Sequence, residues 1–169
     1  MGEPVVYKEE NWVPRNIIGV ANRSDIYTPI VYYENGGMLI TDAERYADGH
    51  KYNEDGSLNK WEYNKYKKEQ QMAKVVANAG HIVEHLAEKP RISSADVRID
   101  GELADFKKLS SSNNIRRHAT YAVNKQKAKK LVFQFDKVER STRWELVKLA
   151  KKGIHGYYFK TGSTKVYTF

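Results

Sequence analysis

Residues 94–107 of this chain read SADVRIDGELADFK. Asp100-Gly101, in the middle of the stretch, is a strong signal for a two-residue β-hairpin turn. Pairing outward from that turn sets residues 99, 98, 97 and 96 opposite residues 102, 103, 104 and 105. Directly opposed residues share one face of a sheet, with Cβ atoms roughly 4.5–5.5 Å apart. The pairing therefore predicts Asp96 beside Asp105, with Lys107 on the same face.

This juxtaposition has a chemical meaning. Two opposed carboxylates repel each other, and a divalent cation held between them removes the repulsion. Lys107 is then placed to contact a phosphate or orient a water, as in metal-assisted phosphodiester hydrolysis. The alternative is a surface hairpin whose acidic charges are offset by Arg98 and Lys107. The apolar opposite face, residues 97, 99, 104 and 106, favours a sheet interior, with Asp100 and Glu102 exposed beside the turn.

Composition limits the possibilities. With 169 residues and 40% hydrophobic content, the chain can bury one good core and a smaller appendage. It has no cysteine, which excludes disulfides and thiolate metal sites and leaves oxygen and imidazole ligands. No run approaches 18 apolar residues, and no basic region followed by an apolar one opens the chain. The sequence therefore predicts neither a membrane span nor a signal peptide.

Charge is distributed unevenly along the chain. Residues 1–60 hold 6 Lys/Arg and 10 Asp/Glu, a net −4, whereas residues 61–169 hold 23 and 11, a net +12. A basic C-terminal part favours a polyanionic partner, because lysine and arginine displace the counterions condensed on a phosphate backbone. Solubility alone is the other explanation for the lysines. The imbalance predicts nucleic-acid contact.

Periodicity and turn residues predict a mixed α/β protein with a division near residue 60. Residues 1–60 are expected to be an irregular N-terminal segment with a hairpin at 30–40, in a delivery, tethering or merely accessory role, and residues 48–57 are the best linker candidate. Residues 61–169 are expected to form the functional domain. The predicted order there begins with a helix from 60 to about 78, a strand at 81–86 and the 95–108 hairpin. A helix at about 115–127 and a strand at 130–135 follow. A helix from 141 or 142 through 149–150 and closing strands at 157–160 and 165–169 come last.

Two further groups of residues are candidates for the site. Glu69 falls on the same helical stripe as Ala73 and Val76, so it is either an inward-facing third carboxylate or a solvated residue paired with a neighbouring lysine. After the hairpin, a helix start rich in serine and asparagine presents backbone N–H groups that bind anions. Ordinary capping explains one of these polar residues but not the whole cluster. The predicted phosphate-binding residues are Ser111, Asn113, Arg116 and Arg117.

The histidines and the last aromatic strand are weaker candidates. His81 and His85 lie four apart on a strand, where such residues are about 13 Å apart and too distant to share one zinc ion. Tyr157, Tyr158 and Phe159 either stack on unpaired bases or belong to the core.

Taken together, Glu69 on a first helix, Ala95-Asp96 at a strand and Asp105-Phe106-Lys107 on the next resemble the PD-(D/E)XK nuclease superfamily. Ala95 stands in place of the usual proline and Asp105 in place of the usual glutamate. More narrowly, the pattern is similar to the C-terminal tRNA-nuclease toxin domains of contact-dependent growth inhibition proteins, which have relatives on phage and mobile-element proteins. The pattern runs through Glu69, Ala73, Ala77, Gly80, His81 and Val83, then Ala95-Asp96, Asp100-Gly101 and Asp105-Phe106-Lys107, and then Ser111 and Asn113-Asn114-Ile115.

The resemblance covers about residues 62–169 and implies a core of helix, three strands, helix and strand. It implies a metal-dependent endonuclease that cuts structured RNA such as tRNA. The choice between RNA and DNA as substrate stays open at this point. Glu69, Asp96 and Asp105 would hold Mg²⁺ or another divalent cation, and Lys107 would complete the catalytic set. A toxin of this kind acts in the cytoplasm of a bacterial cell and requires a cognate immunity protein in the producing cell.

Two other functions fit the residues. One is a non-catalytic nucleic-acid-binding or virion-associated protein on a degenerate nuclease scaffold, for which the basic charge suffices. The other is a metal-free, barnase-like ribonuclease that uses histidine and glutamate as acid and base.

Overall fold

The structure, a computed structural model, describes residues 6–11, 29–88 and 94–169. Nine strands and four helices lie in these ranges. The strands are β1 Val6–Asn11, β2 Pro29–Tyr33, β3 Met38–Thr41, β4 Ile82–His85, β5 Val97–Ile99, β6 Glu102–Leu109, β7 Lys130–Phe135, β8 His155–Lys160 and β9 Tyr167–Thr168. The helices are α1 Ala43–Gly49, α2 Lys60–Asn78, α3 Ile115–Asn124 and α4 Arg140–Lys151.

The strands form a single sheet in which spatial order follows chain order, from β1 to β9. Pairing is parallel wherever a helix connects the strands, namely β3 with β4, β6 with β7, and β7 with β8. The other neighbours are antiparallel. This is the expected relation, since a parallel pair needs a crossover connection whereas a hairpin gives antiparallel strands.

Helices cover both faces of the sheet. On one face α2 places Met72, Ala73 and Val76 against Val83 and Phe106. On the other face lie α3 and α4, whose apolar residues pack against alternate residues of β7. Leu131, Phe133 and Phe135 belong to this second cluster while Val132 belongs to the first, as the two-residue period of a strand requires.

The hairpin has the predicted register. Val97 pairs with Ala104, Arg98 with Leu103 and Ile99 with Glu102. Asp100 has φ 49° and Gly101 has φ 88°, the positive values that a tight hairpin turn of this class demands. Asp100 and Glu102 are exposed beside the turn, as expected.

The order of elements from α2 to β9 is also as predicted, with shifts at the ends. Helix α3 stops at Asn124 rather than near Lys127, because Lys127 has φ 58° and leaves the helical conformation. The final strand is reduced to Tyr167–Thr168.

The expectation of an irregular segment over residues 1–60 is wrong for its described part. The hairpin predicted at 30–40 is present as β2 and β3, and β3 continues the sheet by pairing with β4. Helix α1 follows, capped by the Asp42 carboxylate, which accepts from the backbone N–H groups of Glu44 and Arg45. The apolar runs of β2 and β3, separated by the turn signal Asn35-Gly36, carried this information. Residues 1–5 and 12–28 of the predicted segment lie outside the described residues, and the division near residue 60 stays a prediction.

Within the described ranges, no helix is long and apolar enough to cross a membrane.

One acidic side chain, that of Glu84, is buried within the sheet. Glu84 on β4 is 2% exposed, and neither of its carboxylate oxygens has a hydrogen-bond partner among the described residues. Its cationic neighbour is Arg98, with Nη1 3.6 Å from Oε2. Burial raises the pKa of Glu84 from 4.5 to about 7, and the charge of Arg98 only partly opposes this. The folded protein thus holds a proton that the unfolded chain releases at lower pH.

We expect the free energy of unfolding to fall as pH rises between about 4.5 and 7, because only the unfolded chain loses the Glu84 proton in this window. Below the window both states are protonated, and above it the loss is complete, on the order of 3 kcal/mol. Glu84→Gln should remove this component. Urea unfolding from pH 4 to 8 measures it, with Glu145→Gln on α4 as a control. Equal pH slopes for wild type and Glu84→Gln would contradict the assignment.

Candidate functional site

The centre of the candidate site is Asp105 on β6. Its neighbours Ala104 and Phe106 point into the core beneath α2, so Asp105 and Lys107 face the side covered by α3. Asp105 is 0% exposed, and its Oδ2 lies 2.6 Å from Nζ of Lys107. No group among the described residues donates a well-directed hydrogen bond to either Asp105 oxygen. The Asp105 carboxylate is thus paired with the ammonium group of Lys107, and its oxygens can accept further bonds.

Asp96 is positioned by the hairpin. It immediately precedes β5, and its Oδ2 accepts a hydrogen bond of 2.8 Å from the backbone N–H of Phe106. Burial raises the pKa of Asp96 well above its ordinary value, and the negative charges of Asp105 and Glu69 raise it further. The structure therefore brings Asp96, Asp105 and Lys107 together, with Glu69 within electrostatic range.

Glu69 points inward from α2, as its helical stripe indicates. Its Oε2 accepts hydrogen bonds from Arg45, with Nη2 at 2.8 Å and Nε at 3.2 Å, and lies 2.7 Å from Nε2 of His85. Neither partner uses Oε1. Burial raises the pKa of Glu69, but His85 and Arg45 outweigh that effect and hold it below its usual range. Glu69 is an ionised carboxylate anchored from one side.

His85 is fully buried in the same network. Burial lowers its pKa against the opposing influence of Glu69, so the neutral imidazole is favoured. Gln70 Nε2 lies 2.7 Å from Nδ1 of His85 and 2.8 Å from the Thr41 hydroxyl. Because Nδ1 accepts a hydrogen bond from Gln70, the ring proton is on Nε2, which donates a hydrogen bond to Glu69. His85 therefore positions a carboxylate.

Lys107 is surrounded by residues of α3 and its C-terminal turn. Gln126 Oε1 lies 3.3 Å from Lys107 Nζ, while Gln126 Nε2 donates to the carbonyl of Ser94 at 3.3 Å. Gln126 thus links Lys107 to the segment that leads into Asp96. His118 is close enough to Lys107 and Asp105 for their charges to affect it. Burial lowers the pKa of His118, and the charges of Lys107 and Arg117 lower it further, against the opposing charge of Asp105.

The predicted phosphate-binding residues divide into two pairs. Arg116 and Arg117 are exposed on α3 and line a shallow groove, and Arg117 is close enough to affect His118. Ser111 and Asn113 instead form a local turn, in which the Asn113 backbone N–H donates to the Ser111 hydroxyl at 3.3 Å. These two are not among the residues that line the groove.

Some important residues were missed or misplaced by reasoning from sequence. Arg45 lies in the segment taken to be separate from the domain, and His85 and His118 fit no motif. The aromatic residues of β8 were offered as either stacking or core residues, and Tyr157 and Phe159, at 7% and 2% exposed, belong to the core. The exposed aromatic beside Lys107 is Tyr121, whose ring centroid is 5.8 Å from Nζ.

The residues present suit a hard divalent cation only in part. Among the described residues, no three histidine, cysteine, aspartate or glutamate side chains are assembled to hold a metal ion by themselves. Mg²⁺, however, is usually held by one or two carboxylates, with waters and substrate phosphate oxygens completing its shell. Asp105, buried and short of donors, and Asp96 beside it fit that smaller donor set.

Comparison with known proteins gives one informative result. No protein-family model matches the chain, and no curated protein matches it significantly. Among solved structures, a chain described as "CdiA-CT/CdiI toxin and immunity complex from Burkholderia pseudomallei" aligns with a TM-score of 0.51 and 16% identity. The alignment covers 63% of this chain and 85% of that one. The folds are similar. At this identity the likeness concerns architecture alone.

Arg45→Met tests the buried network around Glu69. Removing the guanidinium leaves a buried carboxylate with only a neutral imidazole, so we expect the free energy of unfolding to fall by about 3–5 kcal/mol. Lys148→Ala, which breaks an exposed pair with Glu145 on α4, should cost less than about 1 kcal/mol. Urea unfolding measures both. Similar losses in the two variants would show that Arg45 does not stabilise Glu69.

Proposed function

We propose that this chain is a metal-dependent endonuclease of the PD-(D/E)XK type that hydrolyses phosphodiester bonds of RNA, with tRNA as the favoured substrate. The observation that carries the proposal is the proximity of Asp96 to buried Asp105, with Lys107 Nζ 2.6 Å from Asp105 Oδ2. Among the described residues, no group donates a directed hydrogen bond to the Asp105 oxygens. The order of α2, three strands, α3 and β7 around these residues supports it.

In the proposed site, Asp96 and Asp105 hold a divalent cation, with Mg²⁺ the expected ion. Glu69 is the third candidate ligand through Oε1, the oxygen that Arg45 and His85 do not use. The cation, when bound, supplies Lewis-acid stabilisation of the scissile phosphate and activates water. The proton on Asp96 that its raised pKa implies is lost when the cation binds, because metal ligands must be deprotonated.

Lys107 acts on the charge that develops at the phosphate. Its ammonium group can donate hydrogen bonds to a phosphate oxygen or to the attacking water, and it is pre-oriented by Asp105 and Gln126. Because donors that are already in place need no reorganisation during the reaction, their contribution to the rate is large. Gln126 is a positioning residue, since it acts through Lys107.

The substrate follows from charge. Between Asp105 and Asp136 the chain carries eight Lys/Arg residues and no acidic side chain. This stretch includes α3, so a cationic surface borders the acidic centre. A phosphate backbone is attracted by the surface while its scissile group reaches the carboxylates and cation. Arg116 and Arg117, which line the groove of α3, are proposed phosphate contacts. Ser111 and Asn113 remain proposed contacts just before the helix starts.

We also propose a toxin role in bacteria, supported by the similarity of this fold to a chain of a toxin–immunity complex. A nuclease of this kind acts in the bacterial cytoplasm, and its producer needs an immunity protein that blocks it. A virion-associated location is the other setting in which such a domain would operate.

Incubation of the purified chain with total tRNA and with plasmid DNA, each with Mg²⁺ or EDTA, tests the nuclease activity. We expect discrete tRNA fragments that EDTA abolishes. Asp105→Asn and Lys107→Ala should each reduce the cleavage rate at least about a hundredfold, the usual cost of losing one charge-stabilising group. Lys74→Ala, which removes an exposed lysine of α2 outside the stretch from Asp105 to Asp136, should cleave like wild type.

The other outcomes point to the other functions. Cleavage that survives EDTA would support the metal-free ribonuclease. Salt-sensitive binding with no cleavage of either substrate would support a nucleic-acid-binding scaffold.

Controlled expression in a bacterial host tests the toxin role. Wild-type chain should arrest growth within a few generations and produce tRNA fragments visible on a denaturing gel, whereas Lys107→Ala at matched abundance should allow growth. Growth arrest by Lys107→Ala equal to that of wild type would show that toxicity does not come from the proposed site.

A further inference from the structure

The side chain of Tyr121 lies at the entrance to the candidate site. It is 48% exposed on α3, and its ring centroid lies 5.8 Å from Lys107 Nζ. The same ammonium group is 2.6 Å from Asp105 Oδ2. A molecule that contacts the exposed part of the ring therefore lies close to the ammonium group that pairs with Asp105.

Helical spacing places cations on both sides of this ring. Arg117, Tyr121 and Lys125 follow one another at intervals of four residues, which puts them on one stripe of α3 with about 12 Å of rise from first to last. These three residues line the same shallow groove, which also contains Asn114, Thr120 and Asn124. None of the described residues that line the groove is acidic. Its chemistry is a flat aromatic surface flanked by phosphate-binding groups.

We propose that Tyr121 is a stacking platform for an unpaired nucleobase next to the scissile phosphate, with Arg117 and Lys125 holding the neighbouring backbone phosphates. The proposal rests on the proposed nuclease function for the identity of the scissile phosphate, but the stacking itself does not require cleavage. An aromatic ring between cations is the arrangement by which proteins bind single strands, and stacking tolerates any base because every base has a π-face. In a duplex that face is covered by the neighbouring pairs, so the platform selects single-stranded loops and ends.

The test measures stacking separately from cleavage. The full chain, in EDTA, is titrated into a single-stranded RNA of about twelve nucleotides that carries one 2-aminopurine, whose fluorescence is quenched on stacking. A fully paired hairpin of the same composition is the comparison. We expect quenching and tighter binding with the single strand, and Tyr121→Ala should weaken that binding about tenfold and abolish the quenching.

Two variants control for other effects. Tyr121→Phe keeps the ring and should retain both affinity and quenching. Tyr52→Ala removes a tyrosine that is 73% exposed outside α3 and should behave like wild type. Thermal melting of each variant confirms that it is folded, which is expected because both tyrosines lie at the surface.

The results separate this inference from the proposed function. Wild-type cleavage with Mg²⁺, combined with a Tyr121→Ala variant that binds and quenches like wild type, would overturn the stacking platform alone. Tyr121-dependent quenching without any cleavage by wild type would support the platform and overturn the nuclease. Equal affinity for the single strand and the hairpin without quenching would overturn the platform in favour of backbone contact only.

Discussion

The burial of Asp105 is the constraint on which the rest of the site depends. Asp105 has no solvent exposure and receives no directed hydrogen bond from the part of the chain that the structure describes. Burying a carboxylate in this way is costly, and a second carboxyl group beside it adds to the cost. The sheet keeps the two acids together because Asp96 is fixed by the backbone N–H of Phe106 and the hairpin by its tight turn. Lys107 offsets part of the charge. A fold that holds two buried carboxyl groups together is pre-organised for a cation, since a bound cation would stabilise the ionised form of both groups.

The sequence predicts this centre well because the responsible interactions are local. A two-residue turn sets the hairpin register, so the positions of Asp96, Asp105 and Lys107 follow from counting residues. The ends of helix α2 can be predicted in the same way, because the Asn59 side chain caps its start and Gly80 adopts a positive φ after its end. Residues whose placement depends on neighbours in sequence are the ones that pattern analysis can locate.

Contacts between distant parts of the chain were beyond that reasoning. Arg45 meets Glu69 across 24 residues because β3 pairs in parallel with β4, and no spacing rule indicates this pairing. The aromatic residues pose the same problem. Alternation in β8 shows that Tyr157 and Phe159 share a face, but only the position of α2 shows that this face is covered. Tyr121, by contrast, lies on an ordinary amphipathic helix. Only the fold shows that its ring is next to Lys107 of β6.

The two sides of the sheet contribute different chemistry to one site. From the α2 side comes Glu69, ionised and held by Arg45 and neutral His85. From the α3 side come Asp105 and Lys107, with Gln126 and Tyr121 around the ammonium group. Asp96 lies where the two sides meet, and its raised pKa reflects the charges of both Asp105 and Glu69. Arg45 belongs to α1, in the N-terminal part of the described fold. Without that part, Glu69 would lose the guanidinium that pairs with it, and the charge of Glu69 acts on Asp96.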